Sequence, residues 1–192
     1  PRREHGATDG FSPYRFELTF GVVDRDRQHA APASVAEPVP LEAGILLRGA
    51  IDLVERNAAG RLRVTDHKTG RVRAEPGVVV GGGEVLQPVL YALAAERLLE
   101  APVEAGRLYY CTAQGGYADR TVPLDESARD AAVQVAAIIG KAVQDGFLPA
   151  APRAGACRYC DYRPVCGPYE EQRVQRKPRA RLAELERLRG LP

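Results

Sequence analysis

Polar and apolar residues alternate along much of the first part of the chain, which predicts a group of β-strands. Residues 14 to 23 alternate in this way, and residues 45 to 56 and 61 to 67 are predicted as two further strands. The Asn-Ala-Ala-Gly sequence between the last two strands is typical of a hairpin turn. The Pro- and Ala-rich stretch from 30 to 43 is predicted as a loop, and residues 71 to 83, which end in Gly-Gly-Gly, as irregular backbone.

Helical spacing replaces this alternation from residue 84 onwards. Between residues 84 and 100, leucine and valine recur three and four positions apart, which predicts a helix. Pro88 is compatible with that helix only in its first turn, because proline lacks the N–H that an inner turn needs. We therefore expect Gln87 near the start of the helix.

The second half of the chain is predicted to hold a hairpin and further helices. Residues 107 to 113 and 117 to 123 flank a Gln-Gly-Gly turn, and residues 125 to 145 have the spacing of a long amphipathic helix. Residues 169 to 189 predict a charged helix that is interrupted near Pro178. The order of these elements predicts an α/β fold in which helices flank a mixed central β-sheet.

The composition is that of an ordinary globular protein. The chain has 192 residues, enough for one domain with a sizeable core, and 45% of them are hydrophobic and 27% charged. No apolar run approaches the roughly 18 residues that span a bilayer. The basic N-terminus has no apolar segment behind it, as a secretory signal would require. We therefore expect a cytoplasmic protein without a membrane partner.

Positive charge is concentrated towards the C-terminal end. The net charge is only +2, but residues 153 to 192 contain ten Arg or Lys and five Asp or Glu. A basic tail of this kind suits a polyanionic partner. A solvated charged helix has the same composition, so this feature alone does not decide between the two.

Two aspartates stand on the predicted hairpin, Asp52 in the sequence Gly49-Ala-Ile-Asp and Asp66 in the sequence Asp-His-Lys68-Thr-Gly. Across a hairpin they can converge, and converging carboxylates repel one another unless a cation lies between them. Carboxylates and water are the ligands that Mg²⁺ prefers. The alternative is a surface hairpin with scattered charges, because Asp-X-Lys occurs often by chance.

Lys68 follows Asp66 by two residues, so both side chains point to one face of a strand. A lysine there can position or help to deprotonate a water molecule and stabilise the charge of a phosphodiester transition state. The chain contains three lysines and 24 arginines. Its use of lysine at this position therefore favours a specific need for a compact ammonium group.

Gln87 and Tyr91 are four residues apart and share one face of the predicted helix. Taken alone, they are more typical of a polar helix end and a partly buried tyrosine than of a site. Taken with the hairpin, they complete the series Gly-X-X-Asp, Asp-X-Lys-Thr-Gly and Gln-X-X-X-Tyr. This order and spacing resembles the RecB-like branch of the PD-(D/E)XK nuclease superfamily.

The C-terminal part of the chain extends the resemblance to about residue 170. Gly146-Phe-Leu-Pro-Ala is followed by Cys157-Arg-Tyr-Cys160 and then by Cys166. These motifs look most like the AddB/Cas4-type iron–sulfur subgroup. The resemblance implies a restriction-endonuclease-like nuclease core at 1–150, a cysteine cluster packed on it at 151–169, and a basic helical tail at 170–192.

The resemblance implies a catalytic group made of Asp52, Asp66, Lys68, Gln87 and Tyr91. The two aspartates and the backbone carbonyl of His67 would hold Mg²⁺ or Mn²⁺. Lys68 would be the catalytic lysine. Gln87 and Tyr91 would contact the DNA backbone or orient the site. A metal bound there would activate water and neutralise the scissile phosphate.

The three clustered cysteines have the tight spacing of metal ligands. Cys157, Cys160 and Cys166 could serve zinc, although zinc would need a fourth ligand. The resemblance instead implies a [4Fe–4S] cluster, whose fourth cysteine stands far upstream in the family. The remaining cysteine of this chain, Cys111, could substitute for it or could be a buried small hydrophobic residue.

Two features of the family are not found where they are expected. No cysteine precedes residue 111, and the early histidines, His5 and His29, lie in no convincing helix, whereas the family places a metal-holding histidine on a helix before the first strand. The chain also has no methionine. We expect it to be the C-terminal part of a longer polypeptide, so that the nuclease core lacks its N-terminal segment, or else a degenerate homologue.

The leading interpretation is a Mg²⁺- or Mn²⁺-dependent deoxyribonuclease of exonuclease type that acts in DNA recombination or repair, with DNA and a helicase subunit or domain as partners. The rival is an inactive nuclease-fold module that binds DNA or scaffolds a helicase. A small zinc- or cluster-binding protein is a third interpretation, but it leaves Gln87 and Tyr91 unexplained. Retention of both aspartates with Lys68 favours the active enzyme, because an inactive site has no physical need for that group.

Overall fold

A five-stranded mixed β-sheet forms the centre of the molecule. The computed structural model describes residues 10–22 and 32–192. The sheet has the order β1-β4-β5-β6-β7, and a separate two-stranded ribbon pairs β2 with β3. The strands are β1 Phe11–Phe20, β2 Val39–Pro40, β3 Leu46–Leu47, β4 Gly49–Asn57, β5 Leu62–Lys68, β6 Val103–Tyr110 and β7 Asp119–Pro123.

Two long helices and three shorter ones accompany the sheet within the described residues. They are α1 Gln87–Leu99, α2 Glu126–Gln144, α3 Arg163–Cys166, α4 Glu170–Val174 and α5 Arg179–Arg189. Short 3₁₀ turns occupy Glu42–Gly44, Gly81–Gly83 and Ala156–Tyr159. Among the residues that the structure describes, no helix combines the length and the apolar character needed to cross a membrane.

Strand β5 lies in the middle of the sheet and pairs differently with its two neighbours. It pairs antiparallel with β4 through a tight turn and parallel with β6 through the crossover helix α1. The turn is held by Asn57, whose side-chain oxygen accepts hydrogen bonds from the N–H groups of Ala59 (3.1 Å) and Arg61 (3.0 Å). The predicted hairpin is therefore present, and its Asn side chain stabilises it.

Helix α1 packs very closely on one face of β5 and β6. The core on this face includes Leu62 and Val64 of β5 together with Val89 of α1, each about 1% exposed. Beside them, a Cβ atom at Gly106 would lie 1.9 Å from the carbonyl oxygen of Pro88, so only glycine leaves room for the helix here. The start of α1 is thereby held against the sheet beside the end of β5.

Helix α2 closes the same core from outside. Its first turn is capped by Asp125, whose side chain accepts a hydrogen bond from the N–H of Ala128 at 2.9 Å. The helix buries a row of small and branched side chains that includes Ala128, Ala131, Ala132 and Val135. Helix α5 packs against α2 and also reaches the Gly81–Gly83 turn.

The other face of the sheet carries a buried polar network. Glu55 of β4 accepts two hydrogen bonds from Arg63 at 2.8 Å and one from the Thr65 hydroxyl at 2.8 Å. Arg107 of β6 donates to Thr65 (2.9 Å) and to Glu55 (3.2 Å). All four residues are buried, and Thr65 is fully so. One carboxylate therefore ties three neighbouring strands together on this face.

Ionisation of Glu55 is opposed by burial but favoured by its partners. Hydrogen bonds from Arg63 and Thr65 and the positive charge of Arg107 outweigh the burial, and they hold the pKa of Glu55 below its ordinary value. An ionised carboxylate only accepts hydrogen bonds, so it suits the N–H and O–H donors that surround Glu55. The network is consequently stable as an ionic group at neutral pH.

The observed elements confirm the predicted α/β fold and change some boundaries. Strand β1 begins at Phe11 rather than 14, and β6 begins at Val103 rather than 107. The start of β6 was missed because this strand is buried on nearly all positions, so its residues do not alternate. The C-terminal helix is divided into α4 and α5 at Pro178, as predicted. His5 and His29 lie outside the described residues.

Candidate active site

The two aspartates of the predicted hairpin lie at the end of the β4–β5 pair. The ladder between these strands ends at Leu53 opposite Thr65, one residue after Val54 opposite Val64. Asp52 and Asp66 are each two residues from one of these paired valines, so their side chains lie on the same face of the sheet as the valines. This is the face on which α1 packs, because Asp66 follows Leu62 and Val64 at intervals of two residues.

Asp66, Lys68 and Gln87 form a closed group in which each side chain contacts the other two. The Lys68 ammonium lies 2.7 Å from Asp66 Oδ2 and donates a hydrogen bond to the side-chain oxygen of Gln87. The Gln87 amide donates to Asp66 Oδ1 at 3.0 Å. Gln87, the first residue of α1, is therefore hydrogen-bonded to two residues at the end of β5. The close approach of α1 to the sheet brings these side chains within reach of one another.

Asp52 makes a different contact, with the residue between Asp66 and Lys68. Its Oδ2 accepts a hydrogen bond of 2.6 Å from the backbone N–H of His67. Nδ1 of the His67 imidazole lies 3.6 Å from the same oxygen. The two strands separate at this point, so the β4–β5 ladder supplies no backbone acceptor for the N–H of His67. The Asp52 carboxylate accepts that hydrogen bond instead.

The surroundings of Asp52 favour its charged form. The imidazole and the backbone N–H of His67, helped by the charge of Lys68, hold the pKa of Asp52 below its ordinary value, although partial burial acts in the opposite direction. Asp52 is therefore ionised at neutral pH. An ionised carboxylate opposite a second one is the arrangement that a divalent cation stabilises.

Asp66 has an oxygen that the protein leaves incompletely satisfied. Oδ2 is buried and receives no well-directed hydrogen bond, although the Lys68 ammonium is 2.7 Å away. A buried carboxylate oxygen whose one close partner is an ammonium group already lies in surroundings that favour a cation. The described residues include no group of three or more His, Cys, Asp or Glu side chains that could hold a metal ion. Asp52 and Asp66 fit an ion that takes its other ligands from carbonyl groups, water or substrate, as Mg²⁺ does.

Tyr91 shares the helix face of Gln87 but contacts another part of the sheet. Its ring meets Phe20 edge to face at a centroid distance of 6.0 Å. A Cβ atom at Gly49 would lie 2.9 Å from the Tyr91 hydroxyl oxygen, so the glycine of the Gly-X-X-Asp motif makes room for this tyrosine. The structure brings Asp66, Lys68 and Gln87 together and sets Tyr91 against the ends of β1 and β4.

Comparison with known proteins identifies the family of the chain. The sequence profile described as the PD-(D/E)XK nuclease superfamily matches residues 2–167, which is most of the chain. The chain belongs to the PD-(D/E)XK nuclease superfamily. No curated protein matches it. The mixed five-stranded sheet flanked by helices is consistent with a PD-(D/E)XK core.

The C-terminal cysteines of this PD-(D/E)XK protein lie in irregular and short helical segments. Cys157 is on the Ala156–Tyr159 turn, Cys160 follows it, and Cys166 ends α3. All three are free thiols, and Cys160 is the most exposed. Burial, together with the nearby Glu171 carboxylate, raises the pKa of the Cys157 thiol. The described cysteines do not converge into a group able to hold a metal ion.

Cys111 lies beside the candidate catalytic group, which the sequence did not indicate. Its backbone N–H donates to the carbonyl of Lys68 at 3.0 Å, and its thiol is 3.5 Å from the same oxygen. Next to it, the Thr112 hydroxyl donates to the Thr69 carbonyl at 3.0 Å. These bonds hold the backbone at the end of β5. The parallel pairing of β5 with β6, which no local pattern reveals, is what places them there.

Proposed function

We propose that this PD-(D/E)XK protein is a metal-dependent deoxyribonuclease that hydrolyses phosphodiester bonds. The observation that carries the proposal is the closed group of Asp66, Lys68 and Gln87 with Asp52 opposite. Asp52 and Asp66 would act as the acid pair of the site, beside the lysine and the helix glutamine. No interaction of the fold's core requires this combination.

The metal would be held by the two carboxylates, Asp52 and Asp66, and by the backbone carbonyl of His67. When bound, Mg²⁺ or Mn²⁺ supplies Lewis-acid stabilisation of the phosphate and lowers the pKa of water. Asp52 is already held as a carboxylate by the N–H of His67. Asp66 presents its incompletely satisfied Oδ2.

Lys68 would stabilise the negative charge of the reacting phosphate. Its ammonium carries protons that can be donated to a phosphate oxygen, and its position is fixed by Asp66 on one side and Gln87 on the other. A fixed donor of this kind stabilises negative charge without reorganising during the reaction. Gln87 is a positioning residue in this proposal, and Tyr91 supports the strand ends from the same helix.

The finer assignment is an exonuclease-type enzyme of DNA recombination or repair that works with a helicase subunit or domain. The support for it is the joint resemblance of the acidic hairpin, the Gln-X-X-X-Tyr helix and the C-terminal cysteines to RecB-like nucleases. The same resemblance supports the division into a nuclease core, a cysteine segment and a basic tail. DNA is the partner that the site and the basic C-terminal part both suit.

The [4Fe–4S] cluster stays a prediction from resemblance. Cys157, Cys160 and Cys166 offer the thiol chemistry that such a cluster needs. In the described part of the chain their arrangement does not fit a metal ion as it stands. Cys111 is already engaged beside Lys68, where its thiol contacts the Lys68 carbonyl.

Cleavage of labelled linear DNA, single- and double-stranded, tests the proposal. The chain should degrade DNA with Mg²⁺ or Mn²⁺ and should stop when the metal is chelated. Asp66→Ala should lower the rate at least about a hundredfold, because one of the two carboxylate ligands is removed. Asp130→Ala, which removes an exposed carboxylate from α2, is the matched control and should cleave at the parent rate.

Equal cleavage by the parent and by Asp66→Ala would show that the site is wrongly assigned. Binding of DNA by the parent without any metal-dependent cleavage would support the inactive module instead. Thermal melting of all three proteins separates a loss of chemistry from a loss of fold, because Asp66→Ala should melt cooperatively.

A further inference from the structure

A cleft of about 550 Å³ opens beside the catalytic group. Its lining includes cationic side chains in addition to that of Lys68. Lys68 and Gln87 stand at one end of it, and Leu108 and Tyr110 contribute to its wall. Its size is within the range of pockets that hold small ligands. Arg71 and Arg73, which neither the motifs nor the catalytic group include, line the same cleft.

The segment that carries these arginines has two distinct sides. Val72 and Ala74 pack against Leu108 and Tyr110 in a small second core, and Ala74 is 4% exposed. The intervening arginines are both exposed. Alternation of this kind is typical of an extended backbone with one side buried. Packing of Val72 and Ala74 therefore turns Arg71 and Arg73 to the open side.

Hydrogen bonds hold this segment in place, although it belongs to no strand. The Tyr110 hydroxyl accepts from the N–H groups of Arg73 (3.3 Å) and Ala74 (3.4 Å). From the other side, Nε of Arg120 donates to the carbonyl of Ala74 at 2.8 Å. Two neighbouring strands thus fix the backbone from which the arginines project.

Both guanidinium groups lack an acceptor in the part of the chain that the structure describes. Many other arginines have one, as Arg153 does in its ion pair with Glu84. Arg71, Arg73 and Lys68 therefore bring three cations to one cleft, and of these only Lys68 has a carboxylate partner. The Glu84 carboxylate also lines the cleft, and it is paired with Arg153. Like charges gathered in a cleft attract an anion and focus it there.

We propose that Arg71 and Arg73 bind consecutive phosphates of a single DNA strand that passes from the catalytic group along this cleft. The inference rests on the proposed nuclease function, because it names how that site holds its substrate. The Cα atoms of the two arginines are at most about 7 Å apart along an extended backbone. This spacing is comparable to that of neighbouring phosphates in an extended strand.

The experiment measures binding without cleavage. Asp66→Ala serves as the background, and fluorescence anisotropy of a labelled single-stranded oligonucleotide is recorded at several salt concentrations. In that background Arg71→Gln with Arg73→Gln should reduce the slope of log affinity against log salt by about 1.4, because each phosphate contact on a single strand contributes about 0.7. With equal affinity of the two proteins at 1 M salt, that slope difference lowers the affinity at 0.1 M salt roughly 25-fold.

Arg56→Gln with Arg97→Gln is the matched control, chosen outside the basic C-terminal part. These two arginines are exposed, also have no acceptor among the described residues, and do not line the cleft. The control removes the same charge and should keep the parent slope. An equal loss of slope in both double variants would overturn the subsite, and so would an unchanged slope in the cleft variant or the absence of any binding.

A duplex of the same sequence with blunt ends distinguishes the kind of DNA. Replacing the cleft arginines should weaken binding of the duplex less than binding of the single strand. An equal effect on both would overturn the assignment to a single strand. Cleavage by the Asp66 parent is measured separately. Binding that depends on the arginines but is not followed by cleavage would refute the nuclease function and support the phosphate subsite. Cleavage together with an unchanged salt slope in the arginine variant would support the nuclease function and refute the subsite.

Discussion

Replacing Lys68 with alanine should reduce the rate of DNA cleavage by roughly a thousandfold or more and leave the fold intact. The ammonium group is the single cation between Asp66 and Gln87. Removing it deprives the reacting phosphate of a fixed donor, an effect of about 10²–10³ in rate where single donors have been removed, and general-acid assistance would be lost with it. Steady-state cleavage of labelled DNA with excess Mg²⁺ measures the change.

Lys141 gives a matched control for this prediction. It is one of the other two lysines and pairs with Asp145 on the exposed side of α2 at 2.7 Å. Lys141→Ala should cleave DNA like the parent. Lys68→Arg is a sharper test, because a guanidinium keeps the charge but not the compact shape that fits between Asp66 and Gln87. Full activity of Lys68→Ala would exclude a catalytic role for this residue.

Replacing Glu55 with glutamine should destabilise the protein by roughly 3–5 kcal/mol. Glu55 is the one carboxylate that accepts from Arg63, Thr65 and Arg107. Without its charge, two buried guanidinium groups lose the carboxylate that they share, and removing one partner of a buried ion pair is costly. Arg107 then has the half-exposed Asp119, at 3.6 Å, as a weaker partner. Urea denaturation followed by circular dichroism measures the change in the free energy of unfolding.

Glu37→Gln is the control, because Glu37 is exposed and should change stability by less than about 0.5 kcal/mol. The network does not touch the catalytic group, so Glu55→Gln that is still folded should keep its metal dependence. A destabilisation no larger than that of Glu37→Gln would mean that the arginines find other partners and that the network is dispensable.

The contribution of Glu55 should also depend on pH with a definite sign. Its pKa in the folded protein is lowered, so the stability that it contributes is fully present above its unfolded pKa, about 4.3. That stability is lost as the pH falls through the lower folded value. The difference in unfolding free energy between the parent and Glu55→Gln should therefore narrow below about pH 4.

Local patterns predicted the elements whose partners are near in sequence. The hairpin of β4 and β5 and the helix α1 beginning at Gln87 follow from alternation, turn chemistry and the position of Pro88. The shared face of Asp66 and Lys68 follows from strand geometry alone. All of these depend on residues within a few positions of one another, which is why a single sequence contains the signal.

What could not be predicted depends on how distant segments pair. Glu55, Arg63 and Arg107 have the pattern of polar positions on a solvent-facing strand side, yet the structure buries them. The bond from His67 to Asp52 exists only because β4 and β5 separate at that point. The packing of Tyr91 against Gly49 and Phe20 likewise depends on where α1 crosses the ends of β1 and β4. Side-chain contacts of this kind arise from register, which single-residue patterns do not contain.

The close approach at Gly106 has a consequence for how the protein can change over time. Sheet and helix meet there through main-chain atoms, with no side chain between Gly106 and the carbonyl of Pro88. The distance from Asp66 to Gln87 is thus set by a contact that substitutions elsewhere in the core leave alone. Valines and alanines on α1 can therefore be replaced by apolar residues of similar volume during evolution, while the distance between Asp66 and Gln87 stays the same.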